Sequence, residues 1–358
     1  MPLVPQERVA LAPFTTLGVG GAARFLVDGH DEDGIREAFA WARARGVPVR
    51  VLGGGSNVVV PDAGFDGLVV RLLTRGTVWT PAGADVLLEA RAGEPWDGLV
   101  AESVRRGYQG LECLSGIPGL AGATPIQNVG AYGQDVAETI QAVRVLDRET
   151  LSERTLLAES CRFCYRDSFF KSEAPERYVV LGVTFRLKGG SGGAVRYAEL
   201  ERGLAERGVE PRAATLAEVR RTVLELRRAK SMLHDPSDEN GRSCGSFFVN
   251  PVVSAEQAQA IERSTGEPRM PRYPQPDGRV KLAAGWLIER AGFAKGTSRG
   301  AVGLSTKHAL AIVCHPGARA DDVLAFAREI TATVQARFGV ALAPEPVLFG
   351  AAPSTEVA

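Results

Sequence analysis

Apolar residues recur at helical spacing in several stretches of this chain. DEDGIREAFAWARARG (31–46) puts Ile35, Ala38, Phe39 and Ala42 on one face, with Asp31 as its cap and Gly46 as its stop. EPWDGLVAESVRRG (94–107) has the same grammar and ends at Gly107. A further helix is expected from Thr215, with Leu216, Val219, Val223 and Leu226 in register, and a short one after Ser254. The last helix covers 320–339, with Val323, Ala327, Ile330, Val334 and Phe338 on one face. Between these lie β-like runs: VPVRVLGGGSNVVV (47–60), GLVVRL (67–72), VLLEARAG (86–93) and YVVLGVTFRL (178–187). VALAPEPVLFG (340–350) reads as one more strand.

The pattern predicts an α+β fold. A Gly-rich stretch, LKGGSGGAVRY (187–197), precedes the helix at Thr215 and suggests a domain boundary near 212. The expected division is 1–212 in two subdomains that meet near 70, then 213–335, then a C-terminal segment over 336–358 that returns to the first region. Two polar loops, DPSDENGRSCG (235–245) and GEPRMPRYPQPDG (266–278), are candidate substrate contacts.

Charge narrows the function classes. Lys+Arg and Asp+Glu both number 42 in 358 residues, so no overall field draws the chain to nucleic acid or an anionic membrane. An anionic ligand must be held by local groups. The N-terminal MPLVPQERVALAPF is no export signal, and no run approaches the roughly 20 apolar residues that span a bilayer. A cytoplasmic protein without membrane insertion is expected, and a monomer is left open. Five cysteines in so large a chain suggest free thiols. Cys161 and Cys164 have CxxC spacing, but no second pair completes a metal site, so both read as small buried residues and no metal is expected. Only six of the basic residues are lysine, which singles out Lys230, Lys281 and Lys295 in the C-terminal half.

Two loops carry candidate chemistry. Gly53, Gly54, Gly55, Ser56 and Asn57 lie between β-branched runs, where successive backbone N–H groups can form an anion nest or simply a tight turn. No helix follows, so this is not a Rossmann turn. The second loop places Gly110, Gly116, Gly119, Gly122, Gly130 and Gly133 with two prolines in 24 residues, a density that suits backbone pressed against a flat or phosphorylated ligand.

TTLGVGG (15–21), LGGGSN (52–57), SGIPGLAGATPIQNVGAYG (115–133), YRDSFFK (165–171), GSFFVNP (245–251), KLAAGWLIERAG (281–292) and PEP (344–346) together resemble the UDP-N-acetylenolpyruvoylglucosamine reductase (MurB) family, in its longer subtype with a substrate-loop tyrosine. The blocks occur in family order along the chain. The resemblance implies an FAD-binding domain of vanillyl-alcohol-oxidase type with a separate α+β substrate-binding domain. It also implies noncovalent FAD, NADPH as co-substrate, and reduction of UDP-N-acetylglucosamine enolpyruvate in peptidoglycan precursor synthesis.

Residue roles follow from that resemblance. Arg166 would hold the substrate carboxylate, Glu345 would polarise the enolpyruvyl group, and Ser246 would protonate the carbon beside the carboxylate. Read alone, Arg166 could instead form a structural salt bridge with Asp167 or Glu159, and Glu345 could be a strand-end surface residue. Tyr197, Lys230, Asn250, Tyr273 and Lys295 match substrate contacts, although Tyr197 could also be a core ring. Val249 stands where many members carry lysine. For FAD, the resemblance points to Gly53–Asn57 with Ser115, Gly116, Gly122, Ala123, Gln127 and Gly130. No histidine lies in a matched FAD loop, which leaves Cys113 as the one conceivable covalent attachment there. A flavin oxidase on the same fold, or an idle UDP-sugar binder, are the rival readings.

Overall fold

The computed structural model describes residues 3–350 except Ser191, Ala194, Pro268 and Arg269. Parts of the expected 187–197 and 266–278 loops, and the end of the 336–358 segment, therefore lie outside the described residues.

The expected helices form where the apolar spacing places them, and Ala198–Glu206 and Ala284–Arg290, which were not expected, join them. Glu32–Ala44 starts at Asp31, whose side chain accepts from Gly34 N at 2.7 Å, and Gly46 follows in the left-handed region. Leu216–Ala229 begins with a capping box between Thr215 and Glu218, Ala255–Thr265 with a Ser254 cap, and Ala320–Phe338 ends at Gly339 with φ 66°. The start of that last helix is held by a distant residue, since Asp62 accepts from Ala320 N and Asp321 N at 3.0 Å each.

The strands build two main sheets. One has four strands in the order Gln6–Ala10, Ala22–Gly29, Phe65–Leu72, Val49–Leu52, with the first pair antiparallel and the others parallel. The other is antiparallel, running Glu153–Leu157, Ile140–Asp147, Tyr178–Gly189, Asp85–Arg91, Thr77–Ala82. Helix Glu32–Ala44 and both sheets share one core, in which Ile35, Phe39 and Leu68 join Leu88, Val143 and Phe185. A second core gathers Phe247, Phe248, Leu287, Ile312, Phe326 and Ile330, and Leu17, Val19 and Val59 reach into it from the N-terminal part.

The expected final strand is shorter than its apolar pattern. Only Val347–Leu348 is a strand, pairing in parallel with Val58–Val59. Pro344 and Pro346 have no N–H to give to a ladder, so the chain before it makes only single bonds to its neighbour. That pairing ties the C-terminal segment to the strand leaving the GGGSN turn.

Candidate functional site

A cleft of about 2210 Å³ runs between the two cores. Its N-terminal wall is the GGGSN turn. Gly55 has φ 63°, and a Cβ there would sit 1.8 Å from Phe14 O, so glycine is required. Gly54 lets the second loop approach, because a Cβ on it would lie 2.8 Å from Gly119 Cα. Ser56 Oγ donates to Pro118 O at 3.2 Å and Asn57 Nδ2 to Gln127 Oε1 at 2.6 Å, which joins the two loops along the cleft. Among the described residues, none of the backbone N–H groups from Gly53 to Asn57 donates to another protein group. A row of free donors on a wall lined by glycine suits a ligand diphosphate, so these residues fit FAD.

The middle of the cleft brings three distant segments together. Cys164 and Asp167 exchange backbone hydrogen bonds at 3.1 and 3.2 Å, closing a turn that presents Arg166 in the left-handed conformation, φ 57°. Its guanidinium donates to Gly130 O at 2.5 Å and Asn128 O at 3.5 Å, and its Nε lies 3.5 Å from Glu345 Oε1. Backbone pairing then aligns GSFF with the proline-flanked glutamate: Glu345 N donates to Phe247 O at 2.9 Å, and Val249 N to Ala343 O at 3.0 Å. Phe247 and Phe248 are buried beneath, while Ser246 lines the cleft. Gln127 Nε2 donates to Glu345 Oε1 at 3.3 Å, and Asn57 Nδ2 reaches Glu345 O at 3.3 Å.

Burial raises the Glu345 carboxyl above the usual range, outweighing the attraction of Arg166 and Lys171. Asp135 is raised for the same reason. Lys281 is lowered, by burial and then by Arg166, and its Nζ sits 4.2 Å from the Tyr165 ring centroid.

At the other end, Lys230 Nζ donates to Glu199 Oε2 at 2.6 Å and lies 6.0 Å from the Tyr132 ring. The Tyr132 and Tyr197 rings meet edge to face at 5.7 Å. His308 is pushed down to about 4, first by burial and then by Lys230 and Lys295.

Comparison with known proteins fits this arrangement to a family. A family model described as the UDP-N-acetylenolpyruvoylglucosamine reductase C-terminal domain matches residues 235–349, and an FAD binding domain model matches 23–150. A UDP-N-acetylenolpyruvoylglucosamine reductase from Saccharopolyspora erythraea is 50% identical over 354 residues, spanning 96% of this chain and 95% of the relative. One from Pseudomonas aeruginosa is 42% identical over 350 residues, 98% of this chain and 100% of its own. The chain belongs to the UDP-N-acetylenolpyruvoylglucosamine reductase family. The crystal structure of the reductase from Thermus caldophilus superimposes with a TM-score of 0.63 at 28% identity, covering 96% of this chain and 99% of that one. The protein is therefore an FAD-dependent oxidoreductase acting on UDP-N-acetylenolpyruvoylglucosamine.

Within this reductase, the cleft wall includes Arg166, Ser246, Glu345, Gly53–Asn57, Ala123, Gln127, Gly130, Tyr197, Lys230, Asn250 and Tyr273. Ser115, Gly116, Gly122 and Lys295 are not on it. Ser115 is fully buried with its Oγ on Glu112 O at 2.6 Å, and Gly116 and Gly122 make room for Leu233 and for Ala92. Part of the glycine density thus serves packing between loops. Lys295 is exposed near His308.

Several readings left open by sequence are decided by contacts. Arg166 pairs with Glu345, not with Asp167 or Glu159, and Glu345 is part-buried in the cleft, its side chain 14% exposed, rather than a free surface residue. Tyr197 is 40% exposed, so its ring is not core. Cys164 is exposed, which corrects the expectation that both residues of the CxxC pair are buried; Cys161 alone is. Cys113 is fully buried and burial pushes its thiol up. Among the described residues no group of His, Cys, Asp and Glu could hold a metal, and no helix is long and apolar enough to cross a membrane.

Sequence reasoning passed over Tyr165, Asp135, Arg227 and His308 as site residues and marked Lys281 only for its rarity. Tyr165 had a local signal, being adjacent to Arg166 in YRDS. Asp135 had none, because only the pairing of Gln134–Asp135 with Gly130–Ala131 brings its carboxylate onto Gly130.

Proposed function

We propose that the protein reduces UDP-N-acetylglucosamine enolpyruvate to UDP-N-acetylmuramate with NADPH as reductant and Ser246 as proton donor, in the cytoplasmic synthesis of peptidoglycan precursors. The observation that carries this reading is the convergence of Arg166, Glu345 and Ser246 on one cleft bounded by the FAD-fitting wall.

FAD, when bound, supplies the hydride that reaches the terminal carbon of the enolpyruvyl group. Negative charge then builds on the adjacent carbon and spreads into its carboxylate. The Arg166 guanidinium, aimed by two backbone carbonyls, suits bidentate capture of that carboxylate. Glu345, raised by burial, is able to remain protonated and donate a hydrogen bond to the same group. Ser246 Oγ delivers the proton to the adjacent carbon, on a backbone registered against Glu345.

Tyr197, Lys230, Asn250, Tyr273 and Lys295 are assigned to the nucleotide sugar. The support differs among them: Asn250 hydrogen-bonds Tyr165 and accepts from Ala284 N at 2.9 Å, whereas Tyr197 and Tyr273 are exposed at the mouth. The same reading treats 1–212 as the FAD-binding region, 213–335 as the substrate-binding domain, and 336–358 as a segment returning to the former, in line with the pairing of Val347–Leu348 to Val58–Val59.

One cleft serving both NADPH and the enolpyruvyl substrate gives ping-pong turnover. Initial-rate plots at several fixed NADPH concentrations should run parallel once substrate inhibition is removed. Intersecting lines would mean that both substrates are bound at once and would count against a shared site.

A further inference from the structure

The contact between Lys230 and Glu199 has a topological origin. Helices Ala198–Glu206 and Leu216–Ala229 pack as a hairpin through Leu200, Leu204, Val219 and Val223, which sets the first turn of one beside the last turn of the other. Lys230 caps the second helix, and Glu199 stands two residues after Tyr197 at the start of the first. Both side chains line the cleft, 34% and 26% exposed, so the pair is neither a core salt bridge nor a free surface one.

Its surroundings are cationic. Arg227 lies one turn before Lys230 and is buried; its Nη2 donates to Met232 O at 2.7 Å, and its Nε has no hydrogen-bond partner among the described residues. Burial, then Lys230 and Lys295, push the His308 imidazole in the same cleft down to about 4, so it is neutral at neutral pH. An ammonium already satisfied by a carboxylate, one helical turn from a buried guanidinium, is an anion site occupied by the protein's own anion.

We propose that Glu199 is a positioning residue that holds the Lys230 ammonium in the free protein and must be displaced when the diphosphate of the sugar nucleotide binds. This deepens the substrate reading above and rests on it for the role of Lys230. Breaking the pair costs part of the energy gained when the diphosphate takes its place, so Glu199 sets affinity for the anionic part of the ligand and not for its neutral parts.

The test is calorimetric titration of the FAD-loaded protein with uridine 5′-diphosphate and, separately, with uridine. Glu199→Gln should bind the diphosphate about three- to tenfold more tightly, the range expected for losing one half-exposed competing charge, and Glu199→Ala should do the same. Uridine affinity should stay unchanged, and the gain should shrink at high salt. In turnover, the KM for the sugar nucleotide should fall without a rise in kcat. Lys230→Met should weaken diphosphate binding and abolish the gain in the double variant. A merely structural ion pair gives the opposite sign: both Glu199 variants would bind the diphosphate equally or more weakly, and the proposal would be overturned. If Lys230→Met alone weakens binding while the Glu199 variants do not tighten it, Glu199 has no such role and the assignment of Lys230 survives. If Lys230→Met has no effect, both fail.

Discussion

Arg166 Nε lies 3.5 Å from Oε1 of Glu345, yet burial still raises the Glu345 carboxyl above its usual range. The pair therefore combines a fixed cation with an acid that stays protonated to higher pH than an exposed glutamate. If Glu345 acts as a hydrogen-bond donor, kcat should fall as pH rises through its raised pKa. Glu345→Gln, which cannot ionise, should lose that alkaline limb while turning over about 10- to 100-fold more slowly. Retention of the limb in the variant would assign it to another group.

Arg166 is held by carbonyls of Asn128 and Gly130 on a left-handed backbone, so its fork points in one direction. Lysine has a single ammonium and cannot bridge these carbonyls and a carboxylate together. Arg166→Lys is expected to lower kcat/KM by about 100-fold or more, with little change in melting temperature. A loss below about tenfold would show that the fork geometry is not needed.

Gly55 tests the cofactor wall. Its positive φ and the 1.8 Å approach of a Cβ to Phe14 O leave no relaxed place for a side chain. Gly55→Ala should destabilise the protein by at least about 2 kcal/mol and lower the flavin-to-protein ratio after purification. Full flavin content with an unchanged melting temperature would contradict the tight junction between the turn and the 12–16 segment.

His308 gives a stability prediction with a definite sign. Its folded-state pKa is depressed to about 4, below the ordinary histidine value, so the unfolded chain binds the extra proton more readily. The stabilisation is complete above the unfolded value near 6.5 and is lost as pH falls toward 4, by at most about 3 kcal/mol. Urea denaturation between pH 7 and 4 should show this decline, and His308→Gln should flatten it.

Periodicity was enough to place five of the helices, because their apolar stripes end at caps or glycines whose hydrogen bonds are local, as at Asp31, Thr215 and Gly339, but it passed over Ala198–Glu206 and Ala284–Arg290. The ordered motifs were enough for the family and for most of the cleft wall. What sequence could not supply was contact between distant segments. Glu345 looks like an exposed strand end until Phe247 O and Gln127 are seen to fix it inside the cleft. Gly116 and Gly122 pack closely against leucine side chains and Ala92, neighbours that no motif names. Glu199 carries no motif at all; only the helical hairpin brings it to Lys230.

The proposed function requires this cleft to pass a hydride from NADPH to an enolpyruvyl nucleotide, with Ser246 completing the protonation. Its most direct test is an anaerobic visible spectrum of the purified protein, titrated first with NADPH and then with UDP-N-acetylglucosamine enolpyruvate. The flavin band should bleach and then return stoichiometrically with the enolpyruvyl substrate, and Ser246→Ala should bleach normally but fail to recover. A flavin that only oxygen restores, or a Ser246→Ala protein that recovers at the normal rate, would contradict the account.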